Sequence, residues 1–209
     1  MPDVKIESIT DVGQDTFALE LVTPSNFEAH PGQFILVRAE IDGEEETGYY
    51  TLSSPDVKNT FEVTVAITPD GTLGPWLVDR EVGESITVEG PYGEIQYLGN
   101  TDAVVLAEGP GIGPAVGIAE RATDEGKNAR IIHTEASPPH ADRLNSNQSD
   151  HVSVTHAPTT ERLLNELADV SNEQIYVFGF KGFVDKAKET LEKAGIDPDS
   201  AEIESFGPK

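Results

Sequence analysis

The sequence predicts two joined domains, an antiparallel β-barrel followed by an α/β domain built on a parallel sheet. The first half alternates short apolar runs with turn residues, whereas the second half alternates near-continuous apolar runs with amphipathic segments of helical length. The polar stretch "LGNTD", 98–102, separates these two hydrophobicity patterns. We therefore expect one domain over 1–98 and another over 101–209, each long enough to bury a core.

The first half is predicted to form six strands. Val, Ile, Thr and aromatic residues are frequent in these segments, which are "DVKIESITDV", "DTFALELVTP", "GQFILVRAEI", "YYTLSSP", "TFEVTVAIT" and "ESITVEG". Turn pairs such as Asp42-Gly43 and Gly90-Pro91 punctuate them. Strands at this spacing indicate a barrel or a sandwich, and only "GPWLVDR", 74–80, is predicted as a helical turn.

The second half is predicted to alternate strands and helices. "DAVVLAEG" is typical of a parallel strand covered on both faces. Pro114 suits the start of the next helix, and Gly126 suits its end. A polar loop is expected over 134–150. The remaining strands are "ARIIHT", "HVSVTH", "QIYVFGF" and "AEIESFG", and the remaining helices are "TERLLNELADV" and "GFVDKAKETLEKAG". This order predicts helices on both faces of the sheet.

The charge balance is strongly acidic, with 14 Lys and Arg against 38 Asp and Glu and a net charge of −24. The acids are dispersed, which favours adaptation to high salt, where self-repulsion is screened; the alternative is an ordinary acidic protein. Nucleic acids and anionic membranes are disfavoured as partners. The chain has no Cys, so disulfides and cysteine-held clusters are excluded, and no metal site is predicted. No apolar run has membrane-spanning length and no signal peptide is recognisable, so a cytoplasmic protein without membrane insertion is expected.

One segment has the form of a phosphate-binding turn. "LAEGPGIGPAVG", 106–117, runs from strand through a glycine-rich loop into a helix, where backbone N–H groups and the helix dipole favour an anion. Glu108 places a carboxylate beside this loop, and Pro110 removes one N–H donor. A strand-to-helix turn needs glycine with or without a phosphate, so this motif alone is weak.

The order of several motifs is more specific. They are "YYTLSSP" (49–55), "PDGTLGPWL" (69–77), "VGESITVEGPYGEI" (82–95), the glycine loop, "YVFGFKGFVDK" (176–186) and the terminal "IESFGPK". In this order the chain resembles the ferredoxin–NADP reductase-like flavoprotein superfamily along almost its whole length. The resemblance implies a flavin-binding barrel, usually for FAD, and a Rossmann-like domain for NADH or NADPH, with hydride passing between them in a cleft.

In the first domain the resemblance implies a flavin site on two motifs. Tyr50 would pack against the flavin, although an ordinary barrel-core tyrosine is the alternative. Thr51 would hydrogen-bond near N5 and act in catalysis. The arginine that pairs with the flavin pyrophosphate in the family is Gly48 here, and Arg38 or Arg80 would have to compensate. The implied flavin-binding residues are Tyr50, Thr51, Leu52, Ser53 and the turn Gly71, Thr72, Leu73 and Gly74.

In the second domain the resemblance implies a pyridine-nucleotide site. Gly109, Pro110, Gly111 and Ile112 would cradle the pyrophosphate. Phe178 and Gly179 align with the segment along the nicotinamide, where Phe178 would stack, fill the slot or simply pack in the sheet core. Glu204 would lie beside Thr51 as the second catalytic residue, and Phe206 belongs to the same terminal motif. Glu135 in "HTEAS" favours NADH over NADPH, and Arg143 is the argument against.

The implied function is transfer of hydride from NAD(P)H to a flavin, and then of electrons to a separate carrier such as ferredoxin. The alternative is a reductase-like binding or regulatory subunit that has lost tight cofactor binding, because Gly48, Glu108, Pro110 and Phe178 all depart from the family at cofactor positions. A flavin-binding electron-transfer subunit with another donor lies between these two readings.

Overall fold

A computed structural model describes residues 2–207. Residues 1, 208 and 209, the outer ends of the two predicted domains, lie outside this range. The first part of the chain contains β1 (Asp3–Gly13), β2 (Thr16–Val22), β3 (Phe34–Ile41), β4 (Glu44–Thr51), β5 (Thr60–Ala66), the short helix α1 (Leu73–Val78) and β6 (Ser85–Tyr92). All six predicted strands and the predicted helical turn are present.

The six strands form an antiparallel sheet in the order β4-β3-β6-β1-β2-β5, which closes into a barrel. An isolated antiparallel bridge between Leu52 and Val63 joins its two edges. The amide of Ser53 donates to Glu62 O at 2.9 Å on the β5 side, and the amide of Leu52 donates to Gln33 O at 2.9 Å on the β3 side. This closure settles the alternative between barrel and sandwich.

Strand β4 begins before the predicted segment at 49. The turn Asp42-Gly43 has positive φ angles of 54° and 84°, the combination that tight hairpins require, so β3 and β4 pair in register from Ile41↔Glu44 to Phe34↔Thr51. The outer half of β4 is acidic and exposed, which hides its strand character from a hydrophobicity pattern.

The second part of the chain contains β7 (Ala103–Ala107), α2 (Ile112–Asp124), β8 (Ala129–His133), α3 (Ala141–Asn147), β9 (Val152–His156), α4 (Thr160–Leu167), β10 (Gln174–Gly179), α5 (Lys181–Lys193) and β11 (Glu202–Ser205). The strands are all parallel, in the order β11-β10-β7-β8-β9. Helices α2 and α3 contribute to one apolar core and α4 and α5 to another, so the sheet is covered on both faces as predicted.

Two boundaries differ from prediction. Helix α3 lies within the predicted loop 134–150; its sequence is polar, and a single buried residue, Leu144, anchors it. Helix α2 begins at Ile112 rather than at Pro114, because Gly109–Gly111 already forms one turn of 3₁₀-helix that leads into it. No helix among residues 2–207 is both long and apolar enough to cross a membrane.

The two domains are in close contact through α2 and α3. A Cβ atom added at Gly113 would lie 2.2 Å from Thr64 Oγ1, and one at Gly117 would lie 2.9 Å from Ser54 O, so the helix backbone rests on the barrel. On α3, Arg143 donates to Ser53 O at 2.8 Å and pairs with Glu120 at 2.9 Å. The barrel face that carries Thr64 is thereby held against the start of α2.

Candidate functional site

A cleft of about 800 Å³ lies where the two domains meet. The barrel supplies one side from β4, β5 and the turn before α1, and the α/β domain supplies the other from the glycine loop, the start of α5 and the end of β11. The lining residues include Phe34, Glu46, Thr47, Gly48, Tyr49, Tyr50, Thr51, Thr64, Asp70, Gly71, Thr72, Leu73, Gly74, Pro110, Phe180, Glu204, Ser205, Phe206 and Gly207. Its size suits a cofactor or a small-molecule substrate.

Aromatic side chains form much of the cleft wall. Phe34 and Tyr49 meet edge to face, with ring centroids 5.4 Å apart, and Phe180 and Phe206 meet in the same way at 6.3 Å. Tyr50 lies between the cleft and the barrel core, and burial raises the pKa of its phenol well above the usual range. Such walls suit a flat, largely apolar ring system.

The two predicted catalytic residues come together in this cleft from different domains. Thr51 is the last residue of β4 and is 7% exposed, whereas Glu204 lies in β11 and is half-buried. Burial raises the pKa of the Glu204 carboxyl. The site therefore combines a fixed hydroxyl with a carboxyl whose proton affinity is increased.

Two predicted binding residues lie behind the cleft wall. Leu52 is fully buried in the barrel core, and Ser53 is also fully buried, its hydroxyl donating to Glu62 at 2.6 Å. Both residues anchor the end of β4 and do not line the cleft. Their backbone amides are used for barrel closure and are not free to donate to a ligand in the cleft.

The predicted turn before α1 does line the cleft along Gly71, Thr72, Leu73 and Gly74. The amide of Gly71 donates to Thr68 O at 3.0 Å and is already engaged. A Cβ atom added at Gly74 would lie 3.2 Å from Ala66 O, so glycine lets this turn pack on the end of β5.

The position of the family arginine is filled by other side chains. A Cβ atom added at Gly48 would lie 2.9 Å from the Tyr50 hydroxyl oxygen and 3.0 Å from Leu73 Cδ2. Neither proposed substitute lines the cleft: Arg38 pairs with Glu45 at 2.6 Å and Glu89 at 3.0 Å, and Arg80 stacks over Trp76 at 4.5 Å. Compensation by Arg38 or Arg80 is therefore wrong.

Two backbone amides of the glycine loop are already hydrogen-bonded within the protein. Gly109 N donates to the Glu135 carboxylate at 2.9 Å, and Gly111 N donates to Glu108 O at 3.1 Å. Burial, with a smaller contribution from the Glu108 charge, raises the pKa of Glu135 against the opposing effect of the Gly109 amide. Of the four predicted loop residues only Pro110 lines the cleft, since Ile112 is fully buried and Gly111 packs on Phe178 O.

Phe178 belongs to the core between the sheet and α2. It is fully buried and stacks parallel to Tyr176, with ring centroids 6.3 Å apart. It therefore neither stacks in the cleft nor fills a nicotinamide slot. Gly179 is also outside the cleft, and a Cβ atom there would lie 2.7 Å from the Phe183 ring.

Arg143 is committed to the domain contact and does not line the cleft, so it no longer argues for NADPH. Sequence reasoning missed five aromatic or acidic lining residues, Phe34, Glu46, Tyr49, Asp70 and Phe180. Alternation along β4 could have found Tyr49, because residues 49 and 51 share one face of that strand. The position of Asp70 beside the Gly71 turn was also a usable signal.

Comparison with known proteins supports the same architecture. Residues 3–97 match the family described as "Oxidoreductase FAD-binding domain". The glycine betaine monooxygenase reductase subunit of Chromohalobacter salexigens is 29% identical over 91% of this chain and 51% of its own length. Two similar solved structures are a ferredoxin reductase in carbazole 1,9a-dioxygenase (TM-score 0.81, 24% identity) and the ferredoxin-NADP+ reductase of Plasmodium falciparum (TM-score 0.79, 14% identity). They cover 98% of this chain and, respectively, 66% and 95% of their own chains. The chain spans about half to three fifths of the first curated relatives that it matches.

Proposed function

We propose that this protein is a flavin-dependent NAD(P)H oxidoreductase, because residues 3–97 match the oxidoreductase FAD-binding domain family and the whole chain has the ferredoxin–NADP reductase-like fold. The reaction would transfer hydride from NAD(P)H to a flavin held in the cleft, and electrons would then leave to a separate carrier. The observation that carries the proposal is that Thr51 and Glu204, from opposite domains, both line one aromatic cleft.

The chain's own residues supply orientation and proton handling. When bound, a flavin provides the ring atom that accepts hydride and the capacity to pass electrons on. Tyr50 and Phe206 wall the cleft, and the Thr51 hydroxyl offers a fixed hydrogen bond to a ring edge. Glu204, with its raised pKa, is suited to hold or relay a proton beside that edge.

We propose NADH rather than NADPH as the donor. The carboxylates of Glu108 and Glu135 lie at the glycine loop, where Gly109 N donates to Glu135 and the Thr134 hydroxyl donates to Glu108. A 2′-phosphate brought to this end of the sheet would face two like charges, whereas a ribose hydroxyl can donate to a carboxylate.

The electron acceptor is proposed to be a ferredoxin. Relatives named as reductase components of oxygenases, together with structures named as ferredoxin reductases, support a separate protein carrier. The net charge of −24 predicts that an acidic ferredoxin docks more readily in salt than in dilute buffer. Faster ferredoxin reduction in dilute buffer would count against this partner.

The test is reduction of the flavin-loaded protein. NADH added without oxygen in molar KCl should bleach the flavin absorbance. Thr51→Ala and Glu204→Gln should slow bleaching by about 10²-fold or more while flavin stays bound. Glu202→Gln, at an exposed position on the same strand, is the matched control and should reduce at the wild-type rate.

A second candidate is a reductase-like binding subunit without catalysis. It is favoured by one observation, the Glu135 carboxylate already bound to the Gly109 amide where a nucleotide pyrophosphate would be cradled. If the protein takes up no flavin on incubation with FAD in molar KCl, this second candidate replaces the first. A flavin-loaded protein that is bleached by dithionite but by neither NADH nor NADPH is instead the electron-transfer subunit with another donor.

A further inference from the structure

The cleft is acidic along the part of its wall that would meet phosphate. The residues that line it include three carboxylates, on Glu46, Asp70 and Glu204, and among residues 2–207 none of the lining side chains is Lys, Arg or His. A flavin dinucleotide carries a pyrophosphate with two negative charges, which proteins ordinarily meet with Arg or Lys. The wall is therefore negatively charged, whereas a phosphate group requires positive charge.

The arginines nearest to the cleft are engaged elsewhere in the structure. The space beside Gly48 is taken by Tyr50 and Leu73, so no side chain can extend from that position without moving them. Arg38 and Arg80 lie outside the cleft, in ion pairs with neighbouring carboxylates. Lys181, which follows the lining residue Phe180, pairs with Asp185 at 2.6 Å.

One backbone donor at the turn before α1 is already engaged. The Gly71 amide is bound to Thr68 O, and α1 is only six residues long, so it presents no extended helix N-terminus to an anion. Asp70 immediately precedes this turn and adds a carboxylate beside it.

The same cleft suits the uncharged part of a flavin. Its aromatic wall offers Phe34, Tyr49, Tyr50 and Phe206, and its polar rim offers hydroxyls on Thr47, Thr51, Thr72 and Ser205. Flat rings pack on aromatic faces, and a ribityl chain hydrogen-bonds to hydroxyls, without any charge being needed.

We propose that this cleft recognises a flavin by its ring system and ribityl chain alone, so that riboflavin binds at least as tightly as FMN or FAD. This inference rests on the proposed flavin function. In low salt the phosphate-bearing forms are disfavoured by repulsion from Glu46 and Asp70, and in molar salt the three affinities converge as that repulsion is screened to within ~3 Å. The flavin is then an exchangeable ligand of the chain.

The test is a binding titration of flavin-free protein with riboflavin, FMN and FAD, followed by quenching of flavin fluorescence. In dilute buffer we expect the dissociation constant of FAD to exceed that of riboflavin by about fivefold, the effect of one like-charge contact of ~1 kcal/mol, and in molar KCl we expect the constants to agree. Salt should leave the dissociation constant of riboflavin nearly unchanged.

Two acidic positions provide the decisive variants. The double change Glu46→Gln with Asp70→Asn should tighten FAD in dilute buffer to the riboflavin level and leave riboflavin binding as it was. Glu7→Gln, at an exposed position on β1 outside the cleft, is the matched control and should change neither.

The outcomes separate this inference from the proposed function. FAD binding ten or more times tighter than riboflavin overturns the inference and leaves a flavin oxidoreductase standing. Binding of riboflavin without bleaching by NADH or NADPH supports the inference and overturns the oxidoreductase. Binding of none of the three flavins overturns both.

Discussion

At the scale of single residues, the Glu135 carboxylate accepts a hydrogen bond that a bound anion would otherwise accept. Its carboxylate lies 2.9 Å from Gly109 N, at the loop where a pyrophosphate would be cradled. Two consequences follow for a nucleotide: the amide must be released before it can bind phosphate, and the carboxylate remains beside whatever enters. Both consequences weaken binding more for a ligand that carries more negative charge.

The first prediction concerns the choice of nucleotide. Glu135→Gln keeps a hydrogen-bond acceptor near Gly109 but removes the charge, so NADPH should gain about fivefold in kcat/KM relative to NADH, equivalent to roughly 1 kcal/mol. Steady-state rates with the two nucleotides give the ratio. Glu192→Gln, exposed on α5, should leave it unchanged. An unaltered ratio in Glu135→Gln would show that Glu135 does not set the preference.

Motif order located some site residues and not others, for a physical reason. Tyr50, Thr51 and Glu204 lie at strand ends that reach the domain junction, and short motifs at strand ends can be recognised from the sequence. Phe178 could not be placed in this way, because its burial depends on how closely α2 approaches the sheet. That approach is set by Gly111, where a Cβ atom would lie 2.2 Å from Phe178 O.

At the scale of secondary-structure elements, α2 is the part that ties the two domains together. Its first turns rest on the barrel through Gly113 and Gly117, while its other side packs in the core of the α/β domain. Glycines four residues apart on one helix face let Gly113 lie against the Thr64 side chain and let Gly117 lie against the backbone of Ser53 and Ser54. Because Thr64 also lines the cleft, the position of α2 affects one part of the cleft wall.

The second prediction tests this contact. Gly117→Leu should destabilise the protein by about 1–3 kcal/mol, because its side chain would overlap Ser53 and Ser54 of the barrel. Denaturant unfolding measures the loss. Thr123→Leu adds the same side chain at an exposed position of α2 and should change stability by no more than about 0.5 kcal/mol. Equal effects of the two changes would contradict close packing at Gly117.

The third prediction concerns α3 and pH. His140, just before α3, is 3% exposed, with its Nε2 2.9 Å from Thr64 Oγ1. Burial, and then the charge of Arg143, lowers the pKa of His140 to about 3. Since the unfolded chain takes up a proton near pH 6.5 and the folded chain does not, His140 should lower stability as pH falls from about 6.5 towards 3, by about 2 kcal/mol at pH 5.

The measurement is the free energy of unfolding against pH in wild type and His140→Gln. The variant should lose less stability than wild type between pH 7 and pH 5. His151→Gln, at an exposed position, should follow the wild-type curve. Groups such as Glu135 and Glu204, whose pKa values are raised, act in the opposite direction but contribute equally to all three curves.

Element prediction succeeded where burial was regular and failed at α3. Apart from the acidic outer half of β4, the strands of both sheets and the helices α4 and α5 have apolar residues at the spacing of their structure, so the pattern alone revealed them. Helix α3 has the sequence "ADRLNSN", with one buried residue, and it is held by contacts of His140 and Arg143 with the barrel. Such contacts between domains leave no periodic signal.

At the scale of the whole molecule, the dominant feature is surface charge. The 38 acids outnumber the 14 Lys and Arg, and arginines such as Arg130 and Arg143 form ion pairs with neighbouring carboxylates. Repulsion among the remaining acids opposes compaction, and salt screens it over a distance that falls from ~10 Å at 0.1 M to ~3 Å at 1 M.

The fourth prediction is that stability rises with salt. The unfolding temperature should increase between dilute buffer and molar KCl, by roughly 2–4 °C for each kcal/mol of repulsion that is screened. Scanning calorimetry gives the change. The same experiment at pH 4 should show a smaller increase, because many carboxylates are then protonated. A salt effect of equal size at both pH values would point to a cause other than carboxylate repulsion.

The closure of the barrel at Leu52 and Val63 affects how often the cleft wall beside Thr51 opens. The residues immediately after Thr51 give their amide protons to Gln33 on one side and to Glu62 on the other. Solvent can exchange the Leu52 proton only when the pairing on the β3 side opens, and the Ser53 proton only when the closing edge separates from β5. Hydrogen exchange at Leu52 and Ser53 should therefore be among the slowest in the chain, so the cleft wall that holds Thr51 lasts as long as the folded barrel itself.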